Sequence, residues 1–308
     1  MSKNIPPLLG RSMERDERLF IDGTKARTQK LIRCGAWEGM DHGRFESWFN
    51  QFVARQRELL GACLLDNFIF RGKGQVEALL KAALCSPVML TAAAKWDGEI
   101  VEALSSRRVD PGIRLAPVIR LDQPPTKSGT YVLRRLAKSL QIQDKWMLWP
   151  QSLANMPNSV HTIVLVDDFC GSGKQFSDFV TLTGFKEVMR TRPNCRIVYL
   201  TVAAHSSGIK KVQEEFNRVE FIAGEILTPL HSFFGGERLA RIKVDGIEER
   251  LKADYDAIAR EVGLGGKKIG PYGFEEQGLT YAFDHGTPNN TLPIYWYSSE
   301  DWTPLVNR

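Results

Sequence analysis

Between His161 and Phe176 the chain reads His-Thr-Ile-Val-Leu-Val-Asp-Asp-Phe-Cys-Gly-Ser-Gly-Lys-Gln-Phe, and no other segment restricts the fold as tightly. Ile163, Val164, Leu165 and Val166 are apolar in succession, as in a parallel-sheet strand buried on both faces. Two aspartates follow at once. Burying both charges is costly, which predicts that Asp167 and Asp168 end the strand and lie at its exit. Side chains alternate along a strand, so the two acids point different ways unless the backbone turns there. Gly171-Ser172-Gly173 permits a tight or left-handed turn, and the amphipathic pattern after it predicts a helix. N–H groups at such a turn and helix start form an anion site.

The surrounding pattern supplies the sheet. Apolar runs at residues 115–120, 161–166, 196–203, 218–223, 279–283 and 292–297 predict strands, and periodic runs at 130–140, 175–190, 207–217 and 247–262 predict helices. Strands alternating with helices imply βαβ units, an α/β fold with a mainly parallel sheet. Upstream, Phe45, Trp48, Phe49 and Phe52, then Leu59, Leu60 and Leu64, fall at helical spacing. After Gly72-Lys73-Gly74 a further helical face carries Val76, Leu79, Leu80 and Leu84. The expected organisation is a weakly ordered basic arm over 1–40, a helical segment over 41–105 and an α/β domain over 106–308.

Apolar stretches are short and interrupted, well under the roughly 20 residues a membrane-crossing helix needs, so the expectation is a cytoplasmic protein without membrane contact. Five scattered cysteines lack metal-ligand spacing and point to a reducing compartment. Cys170 stands apart because it is expected inside the phosphate turn, where a helix N-terminus lowers a thiol pKa. Charge is uneven. Arg107, Arg108, Arg114, Arg120, Lys127, Arg134, Arg135, Lys138 and Lys145 crowd one stretch, which suits either a solvated helix face or a surface that meets phosphate.

A nucleoside triphosphate in a P-loop does not fit the central segment. The first glycine of that motif would fall on Asp168, and Gln175 stands where Ser or Thr is required. A phosphorylated sugar fits better, with carboxylates accepting from ribose hydroxyls while the turn holds a 5′-phosphate. Val164-Leu165-Val166-Asp167-Asp168 and the turn after it resemble the type I phosphoribosyltransferases. The loop Phe169–Gln175 departs from their usual Thr/Ser-rich ending, which separates the chain from ordinary nucleobase salvage. Together with Leu65–Phe70, Pro124–Thr130 and Thr287–Trp296, the segment Asp167–Gln175 is similar to a phosphoribosyltransferase-like family of bacterial conflict systems, including retron-associated accessory proteins.

That resemblance implies an α/β sheet of phosphoribosyltransferase type and a phosphoribosyl pyrophosphate or nucleotide ligand. It also implies an anti-phage effector role, with a reverse transcriptase and structured RNA or DNA as partners. The expected chemistry is glycosyl transfer or nucleotide hydrolysis with Asp167 and Asp168 as catalytic acids. Gly171, Ser172, Gly173, Lys174 and Gln175 would bind phosphate. Lys127, Ser128 and Gly129 at a helix start would bind pyrophosphate, unless Ser128 is a plain N-cap. Asn289 and Asn290 would read base or ribose, or serve their own turn. Mg²⁺ is expected through the ligand, not through protein side chains alone. Two other readings stay open: a nucleotide-sensing module without chemistry, and a nucleic-acid-binding partner using Arg107–Lys145 and the arm.

Overall fold

The computed structural model describes residues 7–87, 89, 100–120, 122, 128–235, 239 and 246–308. Among them the helices are α1 (Pro7–Arg33), α2 (His42–Ala54), α3 (Glu58–Asn67), α4 (Lys73–Leu84), α5 (Ile100–Ser105), α6 (Ser128–Leu140), α7 (Lys174–Leu182), α8 (Phe185–Thr191), α9 (Ser206–Glu215), α10 (Ile247–Val262) and α11 (Gly266–Ile269). The strands are β1 (Ile69–Arg71), β2 (Ile113–Pro117), β3 (Thr162–Cys170), β4 (Arg196–His205), β5 (Val219–Leu227) and β6 (Tyr281–Phe283). They fall into two compact units, Met1–Lys73 with Pro229–Arg308, and Gly74–Thr228. No described helix is long and apolar enough to cross a membrane.

The Gly74–Thr228 unit is built on a four-stranded parallel sheet in the order β2-β3-β4-β5. The α/β class with a parallel sheet therefore holds. β3 is interior, and every residue from Thr162 to Cys170 is buried except Asp168. On one face Ile163, Leu165, Ile197 and Tyr199 pack with Phe176, Phe179 and Val212. α6 packs on β2 and β3, burying Val132, Leu133, Leu136 and Leu140. The helix expected over 175–190 is two helices, because Gly184 at φ 75° breaks the run.

The other unit pairs β1 with β6, again in parallel. Its core is aromatic and satisfies its own polar atoms. Trp48 and Trp302 donate their indole N–H to the Ile294 carbonyl at 2.8 and 3.0 Å, and Tyr295 donates its hydroxyl to the Leu64 carbonyl at 2.8 Å. A buried indole or phenol that lacked such a partner would be strongly destabilising.

Two expectations differ from what is found. Residues 1–40 were expected as a weakly ordered arm, yet α1 runs from Pro7 to Arg33, burying Ile21, Thr24 and Thr28 in one stripe and packing on α3. Arg27 also bonds Asp66 of that helix. The stripe is narrow and half polar, so composition alone hides it. The strand expected over 292–297 is a 3-10 turn at Pro293–Tyr295. Trp296 and Tyr297 donate back to the Pro293 carbonyl at 3.0 and 2.7 Å, which removes them from any ladder.

Candidate functional site

The two acids do not end β3. The strand continues through Phe169 to Cys170, with Asp167 opposite Thr201 and Phe169 opposite Ala203 of β4. The acids part company there. Asp167 is fully buried: its Oδ2 accepts from the Tyr199 hydroxyl at 3.1 Å and the Gln175 amide at 3.0 Å, and its Oδ1 from the Asp168 N–H at 3.0 Å. Asp168 is half-buried, and its Oδ1 accepts from the Ser128 hydroxyl at 2.9 Å and the Phe169 N–H at 2.8 Å. The costly burial expected to push both acids to the surface is met for Asp167 by three hydrogen bonds instead.

Burial pushes the Asp167 carboxyl well above the usual range, and the neighbouring Asp168 charge adds to this. Burial likewise raises the Tyr199 hydroxyl, with Asp167 as the next cause. Cys170 is the last residue of β3, not part of the turn, and burial pushes its thiol up to about 12. The lowering expected from the helix N-terminus is outweighed.

The turn Gly171–Gly173 is buried and opens α7 at Lys174. Gly173 adopts φ 77°, a left-handed conformation suited to glycine. The backbone of Gly208, in the first turn of α9, lies so close that a Cβ there would meet the Gly171 carbonyl oxygen at 2.5 Å. The turn is thus clamped backbone to backbone. Ser172 accepts from the Lys174 N–H at 3.4 Å. Lys174 itself reaches along its own helix to both carboxylate oxygens of Asp178, at 2.9 and 3.1 Å. Gln175 turns inward to Asp167.

Ser128 and Gly129 open α6. Ser128 binds Asp168, and an added Cβ at Gly129 would lie 3.5 Å from Asp167 Oδ1. These two expected residues therefore meet the acid pair, while Lys127 lies outside the described residues. Asn289 and Asn290 belong to the other unit and bond within it. Asn290 donates to the Phe274 carbonyl at 3.1 Å, and Asn289 accepts from Arg308 at 2.5 Å. Of the basic stretch, Arg114 pairs with Asp110, Arg120 with Asp122 and Asp178, and Arg135 with Glu77. Arg107, Arg108, Arg134, Lys138 and Lys145 are exposed, with Lys145 donating to the Arg107 carbonyl at 2.8 Å.

Sequence reasoning missed Tyr199 and Gly208. Tyr199 is the lone hydroxyl-bearing aromatic in an aliphatic strand, and a buried tyrosine calls for a partner. Ser206-Ser207-Gly208 directly after a strand marked a strand-to-helix turn with close approach.

A family model described as PRTase-CE matches residues 45–308. No curated protein matches the chain. Among solved structures, orotate phosphoribosyltransferase from Aeropyrum pernix is 13% identical over 48% of this chain and 69% of its own, with a TM-score of 0.28. The AQ2163 protein from Aquifex aeolicus is 12% identical over 61% of this chain and 86% of its own, with a TM-score of 0.29. Likenesses this low add nothing to what the sheet topology itself shows.

Proposed function

Because the chain belongs to the PRTase-CE family, we propose that it binds a phosphoribosyl or nucleotide ligand at the C-terminal end of β3. One observation carries the reading. Asp168, half-buried two residues before the end of an interior parallel strand, is fixed by Ser128 and the Phe169 N–H, and the strand leads into a glycine turn that opens a helix. Ligands of open parallel sheets bind in this crevice. A ribose would place its hydroxyls on Asp168, and its 5′-phosphate would lie against the N–H groups of Gly171, Ser172 and Gly173 and the start of α7.

The reaction this arrangement serves is glycosyl transfer or hydrolysis at ribose C1. As the leaving group departs, positive charge grows on the ring, and the Asp168 carboxylate stabilises that charge more than it stabilises the ground state. Among the described residues no group of three or more His, Cys, Asp or Glu side chains is placed to hold a metal ion. A bound Mg²⁺ would take its oxygens from the ligand and water, and would supply charge neutralisation at the phosphates. The biological setting of this reading is the cytoplasm of a bacterium under phage attack, with the protein as a retron-type effector.

The test is equilibrium binding and turnover of phosphoribosyl pyrophosphate by wild type and Asp168→Asn. The amide keeps an acceptor for Ser128, so the fold survives. Loss of charge-assisted bonds of about 1.5–3 kcal/mol each should weaken binding roughly a hundred-fold and abolish turnover. A fully active Asp168→Asn would sink the reading.

Ligand sensing without turnover is a second reading, favoured by the internal engagement of Asp167 and Lys174. Binding without turnover of labelled phosphoribosyl pyrophosphate would select it. A nucleic-acid role would rest on the five exposed basic residues of that stretch, and a steep salt dependence of binding would support it.

A further inference from the structure

We propose that Asp167 is a positioning residue, not a ligand-contacting acid: fixed by Tyr199 and Gln175, it holds Asp168 and the Gly171–Gly173 turn in register for an anionic ligand. The inference rests on the functional reading above and specifies which of its two acids meets the ligand.

The geometry is one-sided. Asp167 is 0% exposed, and no Lys, Arg or His pairs with it among the described residues. Its contacts tie three segments together. Gln175 lies in the first turn of α7, Tyr199 lies on β4 with its ring stacked on Phe176 at 4.3 Å, and the Asp168 N–H closes onto Oδ1. Removing the carboxyl would strand the buried Tyr199 hydroxyl without its acceptor and release the Gln175 amide and the Asp168 N–H.

The electrostatics point the same way. Burial and the adjacent Asp168 charge both favour the proton on Asp167. The other titratable groups facing Asp167, Tyr199 and Cys170, are also raised and stay neutral. Like-charged carboxylates in contact keep one proton between them. The mouth of the turn then carries one negative charge, on Asp168, where two would repel a phosphate.

The experiment compares Asp167→Ala, Asp167→Asn and Asp168→Asn for phosphoribosyl pyrophosphate affinity across about pH 6–8, with ¹³C-carboxyl NMR of aspartate-labelled protein. Asp167→Ala should weaken binding at least about ten-fold, and Asp167→Asn, neutral and of the same shape, should recover most of that loss. In the spectra the Asp167 carboxyl should titrate well above the usual carboxylate range and shift on Tyr199→Phe. Failure of Asp167→Asn to recover affinity beyond Asp168→Asn, or an Asp167 carboxyl that titrates like an exposed one, would overturn the inference. If wild type binds no phosphoribosyl ligand, the functional reading falls and the carboxyl spectrum alone decides.

Discussion

Each unit carries a parallel pair of strands whose C-terminal ends bear polar residues, and the two ends use them differently. Beyond β6, the Asp284 N–H donates to the Arg71 carbonyl at 3.0 Å, Asn290 donates to the Phe274 carbonyl, and the Leu279 N–H returns to the Asn290 carbonyl at 3.1 Å. The Phe274 N–H likewise closes onto the Asn289 carbonyl at 2.8 Å. Of these bonds only the one from Asn290 uses a side chain; the others close backbone on backbone. At the end of β3 the polar side chains bind one another, Asp168 with Ser128 and Asp167 with Tyr199 and Gln175, beside a turn held by glycine packing. Residue type does not separate a fastener from a site. The partners do: Asn290 is spent on its own turn, whereas the acids at β3 are held by side chains from three neighbouring elements.

The largest effect expected from this contrast is at the clamp between the turn and α9. Gly208→Ala drives a methyl to 2.5 Å from the Gly171 carbonyl oxygen, backbone that cannot swing aside. Overpacking of this kind destabilises by about 1–3 kcal/mol. Urea denaturation should show a loss at the upper end of that range, with phosphoribosyl affinity falling alongside it. A variant with unchanged midpoint and affinity would mean that the turn is not clamped.

The next effect tests the fastener side. Asn290→Ala removes the bond to the Phe274 carbonyl from a residue only 6% exposed. A buried hydrogen bond of this kind is worth about 0.5–1.5 kcal/mol, more if the acceptor is stranded. The loss should appear in the urea midpoint. Loss of ligand affinity without any change in stability would instead return Asn290 to the base or ribose role expected from sequence, and would erase the contrast.

A smaller, pH-dependent effect separates the two acids. The Asp167 carboxyl is raised above its ordinary 3.8 in the folded protein. Below that value both states are protonated and its contribution is intact. As pH rises past it, the unfolded chain releases the proton while the native one keeps it, so stability falls. Asp167→Asn does not titrate, so its Tm should gain on wild type as pH rises above the ordinary carboxylate value. A constant difference over that rise would place an ordinary carboxylate at residue 167.

The sheet was legible because it rests on runs of aliphatic residues. Residues 196–203 were read as a strand and β4 spans Arg196–His205, and α10 spans Ile247–Val262 as read. The start of the site was legible for the same reason, since Ile163–Val166 pointed directly at the acids. What was not legible is which acid faces outward. That depends on Tyr199, 32 residues downstream in the neighbouring strand, whose hydroxyl reaches Asp167 only through the register of β3 with β4. Likewise the clamp at Gly208 is a close approach between segments, and no local pattern encodes its distance.

The smallest perturbation is a chemical one that leaves the fold alone. At pH 8 a thiol with a pKa of about 12 is ionised at roughly one part in ten thousand, whereas an ordinary one near 8.5 is ionised at about a quarter. Cys170 and Cys63 are both pushed up to about 12 by burial, one in each unit, while Cys34 is exposed. Iodoacetamide followed by peptide mass analysis should label Cys34 in the native protein and reach Cys63 and Cys170 only on unfolding. The two buried thiols need not behave alike once ligand-site variants are used. Cys170 sits under the Gly171–Gly173 turn, so Gly208→Ala should expose it to reagent while Cys63 stays protected. Equal labelling of both would show that the clamp supports the whole chain and not the turn, because only local opening can free one thiol without the other.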